Sequence, residues 1–478
     1  MIKQSITQRV FTFTPLLTAL LLAGCASSDG LRTSNNMLSP DSLQAQQSLA
    51  NVHLSPVSWP KQNWWQSFND PQLNALITEG LASSPDLQEV NARADKANAA
   101  VVASQAERYP DLDVNAGITR SRVAKVDDPM LQGKSYSTLR TASLGLSYSL
   151  DLWGGKKAAW EAALGQAKAA EVDKQAAQLT LAANVTRAWI NLNLAWEMDD
   201  LAKENAQRLH QMAGVQEQFY SKGLTPVYQY KQALASDKDA QGALLAAEQN
   251  ITEAGIKLST LIGKGPDRWH SLHRTKLAIP AQLTLPSSVP AELLGRRPDI
   301  VAARWRVESA EKNIQSVKTE FYPNINLVAE AGSRNLIGDA FFGAPSRFFN
   351  VGPTISLPIF DGGKRRADLA SSDADWDLAV AHYNSLVISS LGSISSSITQ
   401  VQSLEQQIAQ AQDSDQLAHD AWDDVSAQFK AGIRPWLDVL SLQSQLIESE
   451  RNVVQLKADA MSQSVALIEQ LGGGFNQS

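Results

Sequence analysis

Few side chains in this sequence are spaced to do chemistry. The one close histidine pair, His270-x-x-His273, sits in a Pro-rich irregular stretch with no third ligand at a metal-binding spacing, so no metal site is expected. No G-x-S-x-G nucleophile turn occurs, and Gly472-Gly473-Gly474 follows a helical tract, where it reads as a helix stop and not a phosphate loop. The sole cysteine, Cys25, excludes a disulfide framework within the chain. It closes an apolar run from about Phe11 to Gly24 that begins behind Lys3 and Arg9, the pattern of a secretory signal over residues 1–24. Leu22-Ala23-Gly24-Cys25 resembles the bacterial lipobox, whose cysteine is diacylated on sulfur and becomes the mature N-terminus. A covalent lipid on Cys25 is therefore expected, with no other cofactor and no catalytic residue. Ala26 comes next, where an Asp would resemble an inner-membrane retention signal, so the expected address is the outer membrane with a large periplasmic portion.

The 478 residues carry 42 Lys and Arg against 49 Asp and Glu, which leaves no broad basic surface for nucleic acid. A Ser-, Asn- and Gln-rich linker is expected over 25–56. Trp59, Trp64, Trp65 and Phe68 then form an aromatic cluster that would pack as a collar, and Asp70-Pro71 caps and starts a short helix.

The stretch Thr141 to Lys157 organises the chain around it. Ala142, Leu144, Leu146, Tyr148, Leu150 and Leu152 alternate with small or polar residues at strict period two, until Gly154-Gly155 opens a helical tract reaching about Tyr220. With Leu112, Val114, Ala116 and Ile118, this predicts a β-hairpin over 111–152, a long helix over 155–222 and a return helix over 226–263, turning at Gly223. After an irregular equatorial segment at 264–298 the plan repeats over 299–472: hairpin 324–360, long helix 363–430, return helix 435–471, then a tail at 473–478. Gly223 and Gly432 lie 209 positions apart (432 less 223), as do Gly263 and Gly472 (472 less 263), so the chain reads as a duplicated unit.

Four strands with one apolar and one hydrophilic face suit a barrel with lipid outside and water inside. Trp153, Phe360, Tyr109 and Tyr322 lie where an interfacial girdle belongs, with Phe341, Phe342 and Phe348 as its outer counterpart. Four strands cannot enclose a wide lumen, so several protomers must contribute, most simply three. The fold class expected is mainly α with a small membrane β part, assembling as a trimeric 12-stranded β-barrel continued by a 12-helix α-barrel. In the last helix Leu440, Ile447, Val454, Met461 and Ile468 recur every seven residues beside a second such row, a stripe wide enough to touch several neighbours. The joint between barrel and tunnel is placed at Trp153, Gly154 and Gly155 and at Phe360, Gly362 and Gly363.

These features together resemble the TolC/NodT-type outer-membrane efflux lipoprotein family. The matching residues are the lipobox at Cys25, WQSFNDPQLNAL at 65–76, LLGRRPDI at 293–300, the two Tyr-Pro hairpin entries, IFDGG at 359–363 and FKAGIRPWLDVL at 429–440. The resemblance implies a homotrimeric exit duct in outer-membrane lipid, docked on a periplasmic adaptor (membrane fusion) protein joined to an inner-membrane pump, and no enzymatic activity. It also implies a periplasmic gate at the helix turns. Arg434 and Asp438 occupy the positions of its polar contacts, while Phe429 stands where a Tyr is often found, Ser441 where a second Asp can sit, and Gln229 where the opposite turn can supply an Asp. The departures imply a gate held more by packing and trimer contacts than by charge. By the same resemblance Gly223, Leu224, Val227, Gly432, Ile433 and Leu437 meet the adaptor. Exit ducts for secreted protein or for metal ions share this plan. A structural coiled-coil surface protein would explain the helices and leave the two-faced hairpins unexplained.

Overall fold

The computed structural model describes residues 30–38, 60–122, 124, 126, 136–275, 295–336 and 340–475. Cys25, the signal, most of the linker, Trp59 and most of the first hairpin loop lie outside the described residues. In chain order the elements are α1 (Pro71–Ser83), α2 (Pro85–Ala106), β1 (Asp111–Arg122), β2 (Tyr136–Leu150), α3 (Gly155–Ser221), α4 (Val227–Leu261), α5 (Pro298–Lys318), β3 (Asn324–Leu336), β4 (Arg347–Ser356), α6 (Lys364–Lys430) and α7 (Trp436–Gln470). Helices α3 and α6 are each 67 residues and α4 and α7 each 35, so the duplication is carried in element length as well as order. No helix among the described residues is long and apolar enough to cross a membrane.

The chain divides into two units. The first comprises Met1–Met37, Ala94–Ala169 and Ala303–Tyr383 and contains the sheet. Its strands form one antiparallel sheet in the order β1-β2-β3-β4, so the two hairpins are joined edge to edge through β2 and β3. Leu144 lies between Val114 and Ala331, and Leu146 between Leu112 and Ala329. Ala331 in turn faces Phe349, and Ile325 faces Ile355. This register carries the apolar row of each strand onto a single face, because a slip of one residue would have interleaved apolar and polar rows. The opposite face carries Asp113, Asn115, Ser143, Gly145, Glu330, Asn350 and Thr354.

Two expectations shift. Strand β2 stops at Leu150 and β4 at Ser356, short of the expected hairpin ends at 152 and 360, so Leu152 leaves the apolar row. Phe348, opposite Gly332, falls on the hydrophilic face with the Arg334 guanidinium 5.2 Å from its ring centroid, and it is not part of an outer girdle. Phe349, the next residue, takes the apolar face and is 82% exposed.

Beneath the sheet, Ile314, Phe321 and Leu369 form a small core with Leu31, Val317 and Trp376 packed on it. The segment containing Leu31 is pinned to α6 by Asp377, whose carboxylate accepts from the backbone N–H groups of Ser34 and Asn35 at 2.8–3.1 Å. Those two N–H bonds hold the Asp377 carboxyl below the usual range.

The second unit comprises Leu38–Arg93, Ala170–Ala302 and Asn384–Ser478. Its core joins Trp64 and Phe68 to Leu73, Leu76 and Ile77 of α1, Trp189, Ile190 and Leu192 of α3, Leu258 of α4, and Val465 and Ile468 of α7. Asp70, 4% exposed, organises the collar. Its side chain caps α1 through the N–H groups of Gln72 (2.8 Å) and Leu73 (3.2 Å), and its second oxygen accepts from Trp189 Nε1 (2.8 Å) and Thr275 Oγ1 (2.7 Å).

Candidate functional site

At the strand-to-helix joint, sequence patterning locates the glycines and the structure supplies the groups that fix them. Asp151, just past β2, accepts from the N–H groups of Lys156 (3.0 Å) and Lys157 (2.9 Å) and so caps α3. Gly154 has φ +77°, which reverses the chain in one residue. Gly155 is already helical and is small for a different reason: a Cβ there would lie 2.1 Å from Thr319 Oγ1. The Trp153 ring stacks on Tyr322, and its Nε1 donates to the Pro323 carbonyl.

The second joint repeats the device with other residues. Asp361 accepts from the Gly363 N–H at 3.0 Å and pairs with Arg365 Nε at 2.6 Å. Arg365, 5% exposed, also donates to the carbonyls of Glu320 (3.3 Å) and Pro358 (2.6 Å). The Arg365 hydrogen bond, aided by the backbone N–H groups, holds the Asp361 carboxyl below its usual range. Residue patterning assigns no role to Asp151 or Arg365 and places Asp361 only within IFDGG, although an Asp shortly before a Gly-started helix is a capping signal. Phe360 is 90% exposed, and Tyr109, Trp153 and Tyr322 are also exposed, as aromatics at a lipid–water boundary would be.

The helix turns form the second candidate site. At the first, Gly223 (φ +71°) lets Leu224 N–H reach back to the Phe219 carbonyl at 2.9 Å. At the second, Gly432 (φ +74°) does the same for Ile433 and Gln428, also at 2.9 Å. Both are Schellman closures, with Pro226 and Pro435 restarting the chain. Leu224, Val227, Ile433 and Leu437 are all exposed, Ile433 the most at 71%.

Arg434 Nη1 lies 3.4 Å from Asp438 Oδ2 and its Nε donates to Gln428 Oε1 at 3.3 Å, so both partners come from its own turn. Gln229 Nε2 lies 3.4 Å from the Tyr228 hydroxyl. Phe429 packs on Trp436 with centroids 5.0 Å apart, while Tyr220 and Tyr230 stack at 5.5 Å across the first turn. Ser441 is exposed on α7. Each turn thus carries one aromatic ring pair. Among the described residues no group of three His, Cys, Asp or Glu could hold a metal ion.

Comparison with known proteins places these features in context. The family model described as outer membrane efflux protein matches residues 76–264 and 289–473. The fusaric acid resistance protein FusA of Burkholderia cepacia is 33% identical over 374 residues, 77% of this chain and 70% of that protein. The multidrug resistance outer membrane protein MdtP of Escherichia coli K12 is 27% identical over 465 residues, 95% of this chain and 94% of its own length. Among solved structures, the outer membrane protein VceC of Vibrio cholerae is 31% identical with a TM-score of 0.80, covering 87% of this chain and 100% of VceC.

Proposed function

We propose, for a chain that belongs to the outer membrane efflux protein family, that it is the outer-membrane exit duct of a tripartite efflux pump, conducting drugs or other small molecules passively to the exterior. One observation supports this most directly: a single register carries the apolar rows of all four strands onto one face and the polar rows onto the other. Such a sheet fits between lipid and water.

In lipid the outer edges of β1 and β4 would each leave a row of backbone groups unpaired, a cost of several kcal/mol per group. Pairing β1 of one copy with β4 of the next removes both edges, and three copies give twelve strands round a lumen. Acylation of Cys25 would add a lipid anchor. The exposed apolar residues of the two turns suit a periplasmic adaptor, which would connect the duct to an inner-membrane pump. Arg434, Asp438, Phe429, Gln229 and Ser441 would line the closing turns, and no step requires catalysis.

Planar-bilayer recording with the purified protein tests the reading. Stable single-channel currents support it, and repeated failure to conduct from correctly folded trimers would overturn it. Deleting the gene and measuring susceptibility to dyes, detergents and antibiotics then identifies the substrate class.

A further inference from the structure

The two faces of the sheet sort their charge as well as their polarity. Across the four strands the hydrophilic face carries Asp111, Asp113 and Glu330 with one cation, Arg334. The apolar face carries no carboxylate, yet it bears Arg120, Arg122, Arg140 and Arg347. All four lie in the half of the face away from the strand-to-helix joints: Arg120 and Arg122 beyond the apolar belt, Arg140 level with Ile118, and Arg347 level with Ala116 and Ala142. Arg120 sits opposite Thr138 and Arg122 opposite Tyr136. Arg140 lies between Ile118 and Asn335, and Arg347 faces Ser333.

Guanidinium charges on a lipid-facing surface are costly unless anionic groups balance them, and Arg347 Nη2 donates to a neutral carbonyl, that of Phe342, at 3.3 Å. The surroundings fit one anion in particular. The Arg120 and Arg122 guanidinium groups lie 5.5 and 5.9 Å from the Tyr136 ring centroid, so one aromatic ring holds two cations at the rim. From the loop between β3 and β4, Phe341 folds back and, with Ala116, Ile118, Ala142 and Arg140, lines a mainly apolar groove on this face. Hydrocarbon would fill the groove while phosphate meets the arginines above it.

We propose that this outer end of the face binds a phosphorylated glycolipid of the outer leaflet, with one phosphate of a lipid A-type headgroup met by Arg120 and Arg140, the other by Arg347 two strands away from Arg140, and an acyl chain in the groove beside Phe341. Guanidinium is suited to the task because it binds phosphate bidentately. The assignment rests on the outer-membrane reading above, which places the hairpin loops outside. It adds that the barrel is matched to an asymmetric bilayer, with its lipid-facing cations confined to the half that meets the outer leaflet.

The test uses full-length protein reconstituted in phosphatidylethanolamine nanodiscs doped with bisphosphorylated or fully dephosphorylated lipid A, with bound lipid counted by native mass spectrometry. Wild type is expected to prefer the bisphosphorylated lipid by about tenfold, and the triple variant Arg120→Gln/Arg140→Gln/Arg347→Gln to lose most of that preference. Equal retention of both lipids by wild type would show a groove that takes any acyl chain and would overturn the proposal, even if the triple variant did not fold. Undiminished preference in a folded triple variant would overturn it as well. Bilayer conductance of the same wild-type preparation separates the two readings: currents without phosphate preference defeat this inference alone, and absence of currents counts against the duct.

Discussion

Trp153 donates its indole N–H to the Pro323 carbonyl at 2.8 Å and stacks on Tyr322 with centroids 4.9 Å apart and ring planes 25° from parallel. The residue that ends one hairpin is thus fastened to the entry of the next, just beyond the last β2–β3 pair, Leu150 and Ile325. Trp153→Phe keeps the stack and loses the hydrogen bond, for an expected loss of about 1 kcal/mol. Trp153→Ala removes the stack too, adding about 1 kcal/mol. Urea unfolding midpoints of detergent-solubilised protein distinguish these outcomes, and a Trp153→Phe variant as stable as wild type would show that the bond contributes nothing.

Asp70 serves four donors from one nearly buried carboxylate. Asp70→Ala strands the Trp189 indole N–H and the Thr275 hydroxyl and uncaps α1, an expected loss of about 3 kcal/mol. Asp70→Asn keeps one acceptor oxygen, so its loss should be smaller. Thermal unfolding followed by near-UV circular dichroism at Trp189 and its T-shaped partner Trp196 reports both.

The Asp361–Arg365 pair has a pH signature. Because the fold depresses the Asp361 pKa, the stabilisation is present above the carboxyl's unfolded value and is lost as pH falls through the lower folded value. Asp361→Asn should therefore be less stable than wild type at neutral pH and converge with it in strong acid. Parallel melting curves at all pH values would contradict this.

Glu450 on α7 runs the opposite way. Burial, helped by repulsion from Asp415 and Glu204, raises its pKa against the opposing attraction of Arg208 and His419, and its Oε2 has no hydrogen-bond partner among the described residues. Protonation is favoured by folding, so its contribution is present below the unfolded pKa and lost as pH rises through the folded one. Glu450→Gln should melt higher than wild type at neutral pH, and the difference should vanish below about pH 4. A variant less stable at neutral pH would indicate that the charge is needed there.

Arg434 and Asp438 are both exposed, and removing their 3.4 Å pairing should change stability by less than about 0.5 kcal/mol. A gating role predicts instead that Arg434→Ala raises single-channel current with an unchanged melting temperature. Unchanged current would leave the pair as a helix-start contact only.

Much of the fold is legible in the residue order. Period-two rows such as Leu144-Leu146-Tyr148, helical tracts bounded by Gly223-Pro226 and Gly432-Pro435, and landmarks repeated at a constant offset each rest on local geometry, which neighbouring residues specify. The Asp70 cap is legible for the same reason. Its bonds to Trp189 and Thr275 are not, because they join groups 119 and 205 positions away.

The amino-acid order alone therefore determined that two hairpins, two very long helices and their return helices would form, and which face of each strand would be apolar. Only the tertiary structure decided how β2 registers on β3. The reason is that each hairpin satisfies its own alternation whatever its neighbour does, and nothing local distinguishes one alignment of two amphipathic strands from another two residues along. That alignment, with the β3–β4 pairing, brings Arg140 and Arg347 into the same half of the face as Arg120.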